Sequence, residues 1–311
     1  MPTASNLAVP PSGSRNTERD GLPWAPLQKT ITRGEIATMA EPIIRKCLRE
    51  FGDYTKDEVS DEAFARYTIG MLRPDVRRVS LIASMALSAL GPNATGEGLE
   101  LGSGYGYLLF PMARLLPLVR WTGVDHPNRS YQRREEFARA FRDYRCQFVS
   151  LDILHSPLPF PDAHFSVATF SEVLEHLPLE SLSFVLSELA RVLRPGGLLI
   201  ITSPNQASLE NRLRLLNGSS ILAMPDDIAA SGLFGHIRLY TPSEIVSAMA
   251  KLGFSLERSA AESNNSAYRG PHKSWRRRVY RFYEALEGFL PFLRTMSDTW
   301  FMAFRKNAVA Q

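Results

Sequence analysis

Short runs of strand-forming residues alternate with longer amphipathic runs between about residues 96 and 203. A short apolar run is typical of a buried strand, and apolar positions at helical spacing are typical of a helix packed on a sheet. The predicted strands are residues 98–101, 121–124, 147–151, 165–170 and 198–202. The predicted helices between them are residues 107–116, 130–144 and 179–193. This alternation predicts a parallel sheet with helices on both faces, an α/β fold.

Further elements flank this region. We predict a helix at 241–252, opened by Thr241 and Pro242, and strands at 254–258 and 299–305. Residues 206–238 are predicted to form an insertion, and residues 31–95 a helical cover that precedes the sheet and lies over its binding edge. Residues 1–30 are rich in Ser, Pro, Asn and Thr and are predicted to be a disordered tail.

Composition narrows the class of protein. With 311 residues, 44% of them hydrophobic, the chain can bury a sizeable core. Its two cysteines, Cys47 and Cys146, are too few for a disulfide framework or a cysteine metal site, which favours a reducing cytoplasm. The first 30 residues lack the apolar run of a secretory signal. The apolar stretch 80–90 is too short to span a bilayer.

The net charge of +4 is unevenly distributed. Between Arg269 and Lys306 the sequence has nine Lys and Arg residues and three acidic residues, so the rest of the chain is slightly acidic. This pattern argues against a general nucleic-acid binder and indicates a local basic patch. Within it, residues 274–294 have the pattern of a basic amphipathic helix. Such a helix either contacts a membrane interface, here the inner face, or packs on the sheet with a solvated charged side.

The sequence GLELGSGYG at 98–106 leads from a strand directly into a glycine-rich turn and then a helix. Glycines at such a turn let a ligand approach the backbone closely, because they have no Cβ. A dinucleotide fingerprint requires a third glycine where Tyr107 stands, which disfavours a nicotinamide-dependent oxidoreductase. An acid on the strand, Glu100, suits a ligand with an ammonium group, such as S-adenosylmethionine (SAM).

Two more acids follow predicted strands. Asp125, in RWTGVDH, is placed to accept hydrogen bonds from both ribose hydroxyls of a nucleoside, although this role does not separate NAD from SAM. Asp152 follows the third strand and is predicted either to accept from an adenine amino group or to be an ordinary turn aspartate.

The order of these motifs resembles the class I SAM-dependent methyltransferases, in particular the group that includes enzymes of ubiquinone and menaquinone biosynthesis. GLELGSGYG, RWTGVDH, Leu151-Asp152-Ile153, LPFPDAHFSVATFSEVLEHL and ELARVLRPGGLLIITSPN carry the resemblance over residues 96–205. His164 departs from it, since the family usually has a second acid there. The resemblance implies a seven-stranded, mostly parallel Rossmann-like sheet with an antiparallel last strand, and a SAM-dependent methyltransferase domain over residues 96–311.

The resemblance also implies which residues contact SAM. Ser171 and Glu172 are expected near the methionine end of the cofactor. The full set of predicted cofactor-binding residues is Glu100, Gly102, Ser103, Gly104, Gly106, Asp125, His126, Asp152, Ile153, Ser171 and Glu172.

Methyl transfer from a sulfonium has a neutral leaving group, so the enzyme contributes mainly alignment. A hydroxyl acceptor also benefits from a general base, for which histidine is the usual choice. Of six histidines, His176 and His236 fall beside the expected acceptor pocket. Packing within the EVLEH run competes with catalysis for His176, whereas catalysis is favoured for His236. No His, Asp and Glu residues have the spacing of a metal site, so no metal is expected.

Weaker similarity of SLENRLRLLNG, GHIRLYTPSEI and DTWFMAFRK to methyltransferases of surface-polysaccharide synthesis favours a small-molecule, sugar or lipid-linked acceptor. A nucleic-acid methyltransferase is disfavoured because SEVLEH replaces the Asn/Asp-Pro-Pro-aromatic run. A non-catalytic SAM-fold partner subunit is the rival from another class. The intact glycine turn and Asp125 disfavour it. The sequence does not indicate the oligomeric state.

Overall fold

The computed structural model describes residues 31–51, 61–127, 129–222, 235–263, 282 and 295–308. The predicted tail at 1–30 and part of the predicted insertion, residues 223–234, lie outside the described residues. So does the predicted amphipathic helix at 274–294, apart from the exposed Phe282.

Seven strands form one sheet in the spatial order β3-β2-β1-β4-β5-β7-β6. The strands are β1 (Gly96–Leu101), β2 (Val119–Asp125), β3 (Gln147–Ser150), β4 (Phe165–Ser171), β5 (Leu193–Pro204), β6 (Phe254–Glu262) and β7 (Thr299–Lys306). The first five pair in parallel, and β7 is antiparallel to both β5 and β6. The predicted fold class, including the antiparallel last strand, is confirmed.

Helices cover both faces of the sheet. They are α1 (Arg33–Phe51), α2 (Asp61–Leu90), α3 (Leu109–Leu115), α4 (Glu135–Asp143), α5 (Leu179–Val192), α6 (Leu209–Leu216) and α7 (Pro242–Lys251), with short 3-10 helices at Ser130–Arg133 and Leu174–His176. One hydrophobic core joins α1, α2, α3 and α4 to the sheet, and a second joins α5 and α7 to it. The N-terminal helices therefore share a core with the sheet.

Local departures from the predicted elements bear on the site. Instead of one helix over 130–144, a 3-10 turn ends at Arg133 and α4 begins at Glu135. Arg134 between them has extended backbone angles, φ −83° and ψ 138°, which breaks the helix. Strand β5 begins at Leu193 because this residue pairs with Phe165, ahead of a register shift. The sequence pattern predicts a start at Leu198, five residues later.

Within the described part of the chain, no helix has the length and apolar character needed to cross a membrane.

Candidate functional site: a cofactor pocket and an acceptor-side cluster

The glycine turn after β1 is held against the neighbouring strand. The backbone N–H groups of Gly102 and Ser103 both donate to the carbonyl of Val124, at 2.8 and 3.0 Å. A Cβ on Gly102 would come within 2.3 Å of Val173, and one on Gly106 within 2.4 Å of the Phe110 ring. Both glycines also have positive φ, so the turn requires glycine at these two positions.

Gly104 has a different surrounding. Its φ is +52°, and a Cβ there would meet nothing nearer than Tyr107 at 3.9 Å. The backbone at Gly104 therefore borders open space, which is the close approach that a ligand needs.

The side chain of Ser103 lies on the buried side of the turn. Its side chain is completely buried. A Cβ built on Gly123 would lie only 2.6 Å from its Oγ, so the hydroxyl lies against the backbone of β2. The structure thus does not bring this predicted side chain to the open side of the loop.

Asp125 ends β2 and is almost fully buried. Its Oδ1 accepts from the backbone N–H of His126 at 2.7 Å, and its Oδ2 accepts from the Tyr131 hydroxyl at 2.8 Å. Gln132 donates to the carbonyl of His126 at 2.8 Å. The turn at 130–133 therefore fixes the orientation of the carboxylate. No pattern in the sequence indicates this role for Tyr131.

Glu100 is a buried acid with one unused oxygen. Its Oε2 has no hydrogen-bond partner, although the residue is only 2% exposed. Burial raises the pKa of Glu100 well above its usual range, nearby Asp125 raises it further, and the charge of Arg78 opposes them. A buried acceptor without a partner is costly, so a ligand that donates a hydrogen bond to it would be stabilised.

Arg78 is a site residue that the sequence pattern does not predict. Helix α2 brings its guanidinium to the pocket, where it donates to Asp75 at 2.7 Å and to the Tyr107 hydroxyl at 2.9 Å. Its Nη1 lies 3.5 Å from an oxygen of Glu172. The buried Nε has no hydrogen-bond partner. Several arginines lie on this helix, and its periodicity gave no sign that this one faces the sheet.

Ser171 and Glu172 at the end of β4 are connected to β5. The hydroxyls of Ser171 and Thr202 are 2.8 Å apart, and Thr202 also donates to Glu172 at 2.9 Å. Glu172 has a φ of +56°, a strained value for a residue other than glycine. Such strain persists where surrounding structure imposes it, often at functional sites.

Asp152 forms a turn in the structure. Its Oδ1 accepts from the backbone N–H of Leu154 at 3.0 Å, and its Oδ2 lies 2.9 Å from His155 Nδ1. The hydrogen bond with His155 is the main cause that lowers its pKa. Ile153 next to it is half-buried and packs on the second core. An adenine-binding role for these two residues stays a prediction.

A second group of side chains lies beyond β4, beside the cofactor pocket. Glu175, His176 and His236 each place one oxygen or nitrogen atom within 4.8 Å of those of the others. Glu175 Oε1 is 4.0 Å from His236 Nε2, and the two imidazole rings are 5.0 Å apart in a T-shaped arrangement. We call these three residues the acceptor-side cluster. The two histidines are 60 positions apart in the sequence, so their spacing could not indicate that they lie close together.

Backbone contacts hold this cluster together. His176 Nδ1 lies 3.1 Å from the carbonyl of Gly235, and the backbone N–H of Ile237 donates to the carbonyl of Glu175 at 2.8 Å. Residues 235–237 are thus fixed to the 3-10 helix after β4.

Burial controls the charges of the cluster. It raises the pKa of Glu175 well above the usual value, with a further contribution from Glu172. It lowers the pKa of His176 and, together with the charge of His176, lowers that of His236 to about 4. Both imidazoles are therefore neutral at pH 7, with a lone pair available.

Comparisons with known proteins give the family. A family model described as a methyltransferase domain matches residues 76–259, which is more than half of the chain. The chain therefore belongs to this methyltransferase family, and the matched region is a domain of the class I SAM-dependent type.

Curated relatives match over shorter regions. The 27-O-demethylrifamycin SV methyltransferase of Amycolatopsis mediterranei is 34% identical over 130 residues, which cover 40% of this chain and 46% of that protein. The ubiquinone/menaquinone biosynthesis C-methyltransferase of Desulfotalea psychrophila is 33% identical over 107 residues, covering 34% of this chain and 41% of that protein. The chain thus spans less than half the length of these relatives.

A solved structure from Galdieria sulphuraria, assigned as a sarcosine dimethylglycine methyltransferase, matches with a TM-score of 0.51. The sequence identity is 16%, and the match covers 77% of this chain and 88% of that one. At this identity the match concerns the fold.

The pocket suits SAM chemically. The amino-acid end of SAM carries an ammonium and a carboxylate. The ammonium can donate to a buried carboxylate, and the carboxylate can accept from a guanidinium. Glu100 Oε2 and Arg78 Nε can supply these two groups, and neither atom has a hydrogen-bond partner among the described residues. Together with the open backbone at Gly104, they fit the family's cofactor.

Proposed function

We propose that this methyltransferase transfers the methyl group of SAM to a hydroxyl of a small-molecule, sugar or lipid-linked acceptor, with His236 as the general base and His176 beside it. The acceptor-side cluster is the observation that supports this proposal. It supplies two neutral imidazoles next to a buried acid, close to the pocket assigned to the cofactor.

The assignment of base to His236 rests on accessibility. The His236 side chain is 40% exposed, whereas His176 is more buried and uses Nδ1 on the Gly235 carbonyl. An acceptor hydroxyl can therefore approach His236 more easily. Glu175 Oε1, 4.0 Å from His236 Nε2, is placed to stabilise the imidazolium that forms when the proton arrives.

Each cofactor residue has a proposed part. Asp125 binds the ribose, Asp152 and Ile153 the adenine, Glu100 the ammonium and Arg78 the carboxylate. Gly102, Gly104 and Gly106 shape the turn, Ser103 supports it from behind, and His126 positions Asp125 through its N–H. Ser171 and Glu172 line the methionine end. The bound cofactor supplies an electrophilic methyl group, and these residues fix its direction toward the acceptor.

The relatives support more than one acceptor atom. The name of the rifamycin enzyme indicates methylation at oxygen, and that of the quinone enzyme indicates methylation at carbon. We favour oxygen because the histidines give a hydroxyl a base. A contact of residues 274–294 with a membrane would suit a lipid-linked acceptor and stays a sequence-based prediction.

The methylated atom can be tested without knowing the acceptor. The protein is incubated with SAM carrying a trideuterated methyl group and a small-molecule and lipid extract, and labelled products are found by mass spectrometry. Hydroiodic acid releases methyl groups from ethers as iodomethane but leaves methyl groups on carbon. We expect the label to be released. A label that stays on the product would contradict O-methylation.

Arg78 provides a separate prediction about the cofactor. Hydrogen bonds to charged groups contribute about 1.5–3 kcal/mol, so Arg78→Gln should weaken S-adenosylhomocysteine binding by about 10- to 100-fold. 5′-Methylthioadenosine lacks the amino-acid end, so its affinity should change little. Isothermal titration with both compounds measures the difference.

Arg77→Gln is the matched control, because Arg77 is the preceding residue on α2 and its side chain is 48% exposed. It should bind both compounds like the wild type. If Arg78→Gln weakened the binding of both compounds equally, Arg78 would have a structural role, and its assignment to the carboxylate of the cofactor would be contradicted.

A further inference from the structure

We propose that Glu175, His176 and His236 also form a binding site for a divalent transition-metal ion, with Zn²⁺ as the best fit. Two imidazoles and one carboxylate are a common set of protein ligands for such ions. The inference concerns the same cluster as the proposed function, but the binding of an ion does not depend on methyl transfer.

The geometry of the cluster is close to that of a metal site. One candidate ligand atom from each residue lies within 4.8 Å of the other two. Bonds of about 2.0–2.2 Å to a tetrahedral ion place its ligand atoms roughly 3.5 Å apart. A contraction of up to about 1.3 Å is therefore sufficient. His236 can supply it, because its side chain is 40% exposed.

The hydrogen bonds around the cluster orient the ligands. A carbonyl only accepts, so the contact of His176 with the Gly235 carbonyl puts the proton on Nδ1 and leaves Nε2 with a lone pair. Metal-binding histidines usually make such a bond with their second nitrogen. Ser203 similarly donates to Glu175 Oε2 at 3.0 Å, which leaves Oε1 for an ion.

The unused oxygen of Glu175 is an independent indication of a missing partner. Glu175 is 1% exposed, and its Oε1 has no hydrogen-bond partner among the described residues. The atom faces the cluster, since it lies 4.0 Å from His236 Nε2. A buried carboxylate oxygen without a donor is costly, and a cation would offset that cost.

The ligand set selects among ions. Imidazole nitrogens suit Zn²⁺, Co²⁺ and Ni²⁺, whereas Mg²⁺ and Ca²⁺ prefer oxygen ligands. Three protein ligands also leave a position open for water or an acceptor oxygen. An ion and the reaction's proton would compete for the lone pair of His236, so an occupied site excludes the base role in the same molecule.

Cobalt spectroscopy tests the site directly. Chelator-treated full-length protein without a purification tag is titrated with Co²⁺, whose visible absorption reports nitrogen and oxygen coordination, and Zn²⁺ is then added to displace it. We expect one Co²⁺ per chain in the wild type. Because second-shell partners alone change metal affinity by about 10- to 100-fold, His236→Ala and Glu175→Gln should each cost at least tenfold.

His164→Ala is the matched control, since this exposed histidine stacks on Phe160 away from the cluster, and it should bind Co²⁺ like the wild type. Equal Co²⁺ affinity in the wild type and both cluster variants would overturn the proposal. Methyl transfer is measured separately in the presence of chelator. A failure of the base assignment is thereby distinguished from a failure of the metal site.

Discussion

Substituting alanine for Asp125 is expected to weaken S-adenosylhomocysteine binding by about 100-fold or more. A carboxylate that accepts from both ribose hydroxyls makes two hydrogen bonds of a charged kind, each contributing about 1.5–3 kcal/mol. The bonds from His126 N–H and the Tyr131 hydroxyl fix the carboxylate before the ligand arrives, so little ordering is needed on binding.

Isothermal titration measures this effect, with thermal unfolding recorded on the same sample to show that the variant is folded. Asp143→Ala changes an exposed aspartate at the end of α4 and should bind like the wild type. Tyr131→Phe keeps the carboxylate but removes one of its donors, so its loss should be smaller. Wild-type affinity in Asp125→Ala would contradict the ribose assignment.

The second large effect is expected for His236→Ala, which should lower turnover by about 10²- to 10⁴-fold, the usual contribution of a general base. Affinity for S-adenosylhomocysteine should stay unchanged, because His236 belongs to the acceptor-side cluster and not to the glycine turn. Single-turnover transfer of the trideuterated methyl group from SAM to the same extract, in the presence of chelator, measures the chemical step.

His164→Ala again serves as the control and should keep wild-type turnover. Unchanged turnover in His236→Ala would show that His236 is not the general base. Loss of cofactor binding together with turnover would mean that His236 supports the pocket instead of reacting.

The sequence predicted the parts of the site that local pattern determines. The glycine turn and Asp125 adjoin strands, and strand-ending residues of a parallel sheet meet at one edge. All seven strands were predicted as well, because the local pattern of apolar residues determines them, although the predicted ends differ from the observed ones. The prediction of one continuous helix over 130–144 was wrong, because no proline or glycine marks the break at Arg134 in the sequence.

Tertiary packing determines the rest, and the sequence did not predict it. Arg77 and Arg78 are neighbours on α2, yet one is half-exposed and the other faces Tyr107 and Glu172. The direction of the Ser103 side chain depends on Gly123, whose missing Cβ leaves room for the hydroxyl. A glycine at that position of β2 was the only available signal.

The acceptor-side cluster shows the same limit. His176 and His236 were each candidates, but only the fold brings them to Glu175. Glu175 stands within the EVLEH run next to His176, so its burial and its unused oxygen could not be read from the pattern. The contact between the two histidines depends on where residues 235–237 lie against the 3-10 helix after β4.

We assign the edge of β1, β2 and β4 to a sulfonium nucleoside. Isothermal titration of the wild-type protein with S-adenosylhomocysteine and, separately, with NADH tests it most directly. We expect saturable binding of the first compound, with one site per chain, and no heat from the second. Binding of NADH, or no binding of S-adenosylhomocysteine at millimolar concentration, would contradict this assignment.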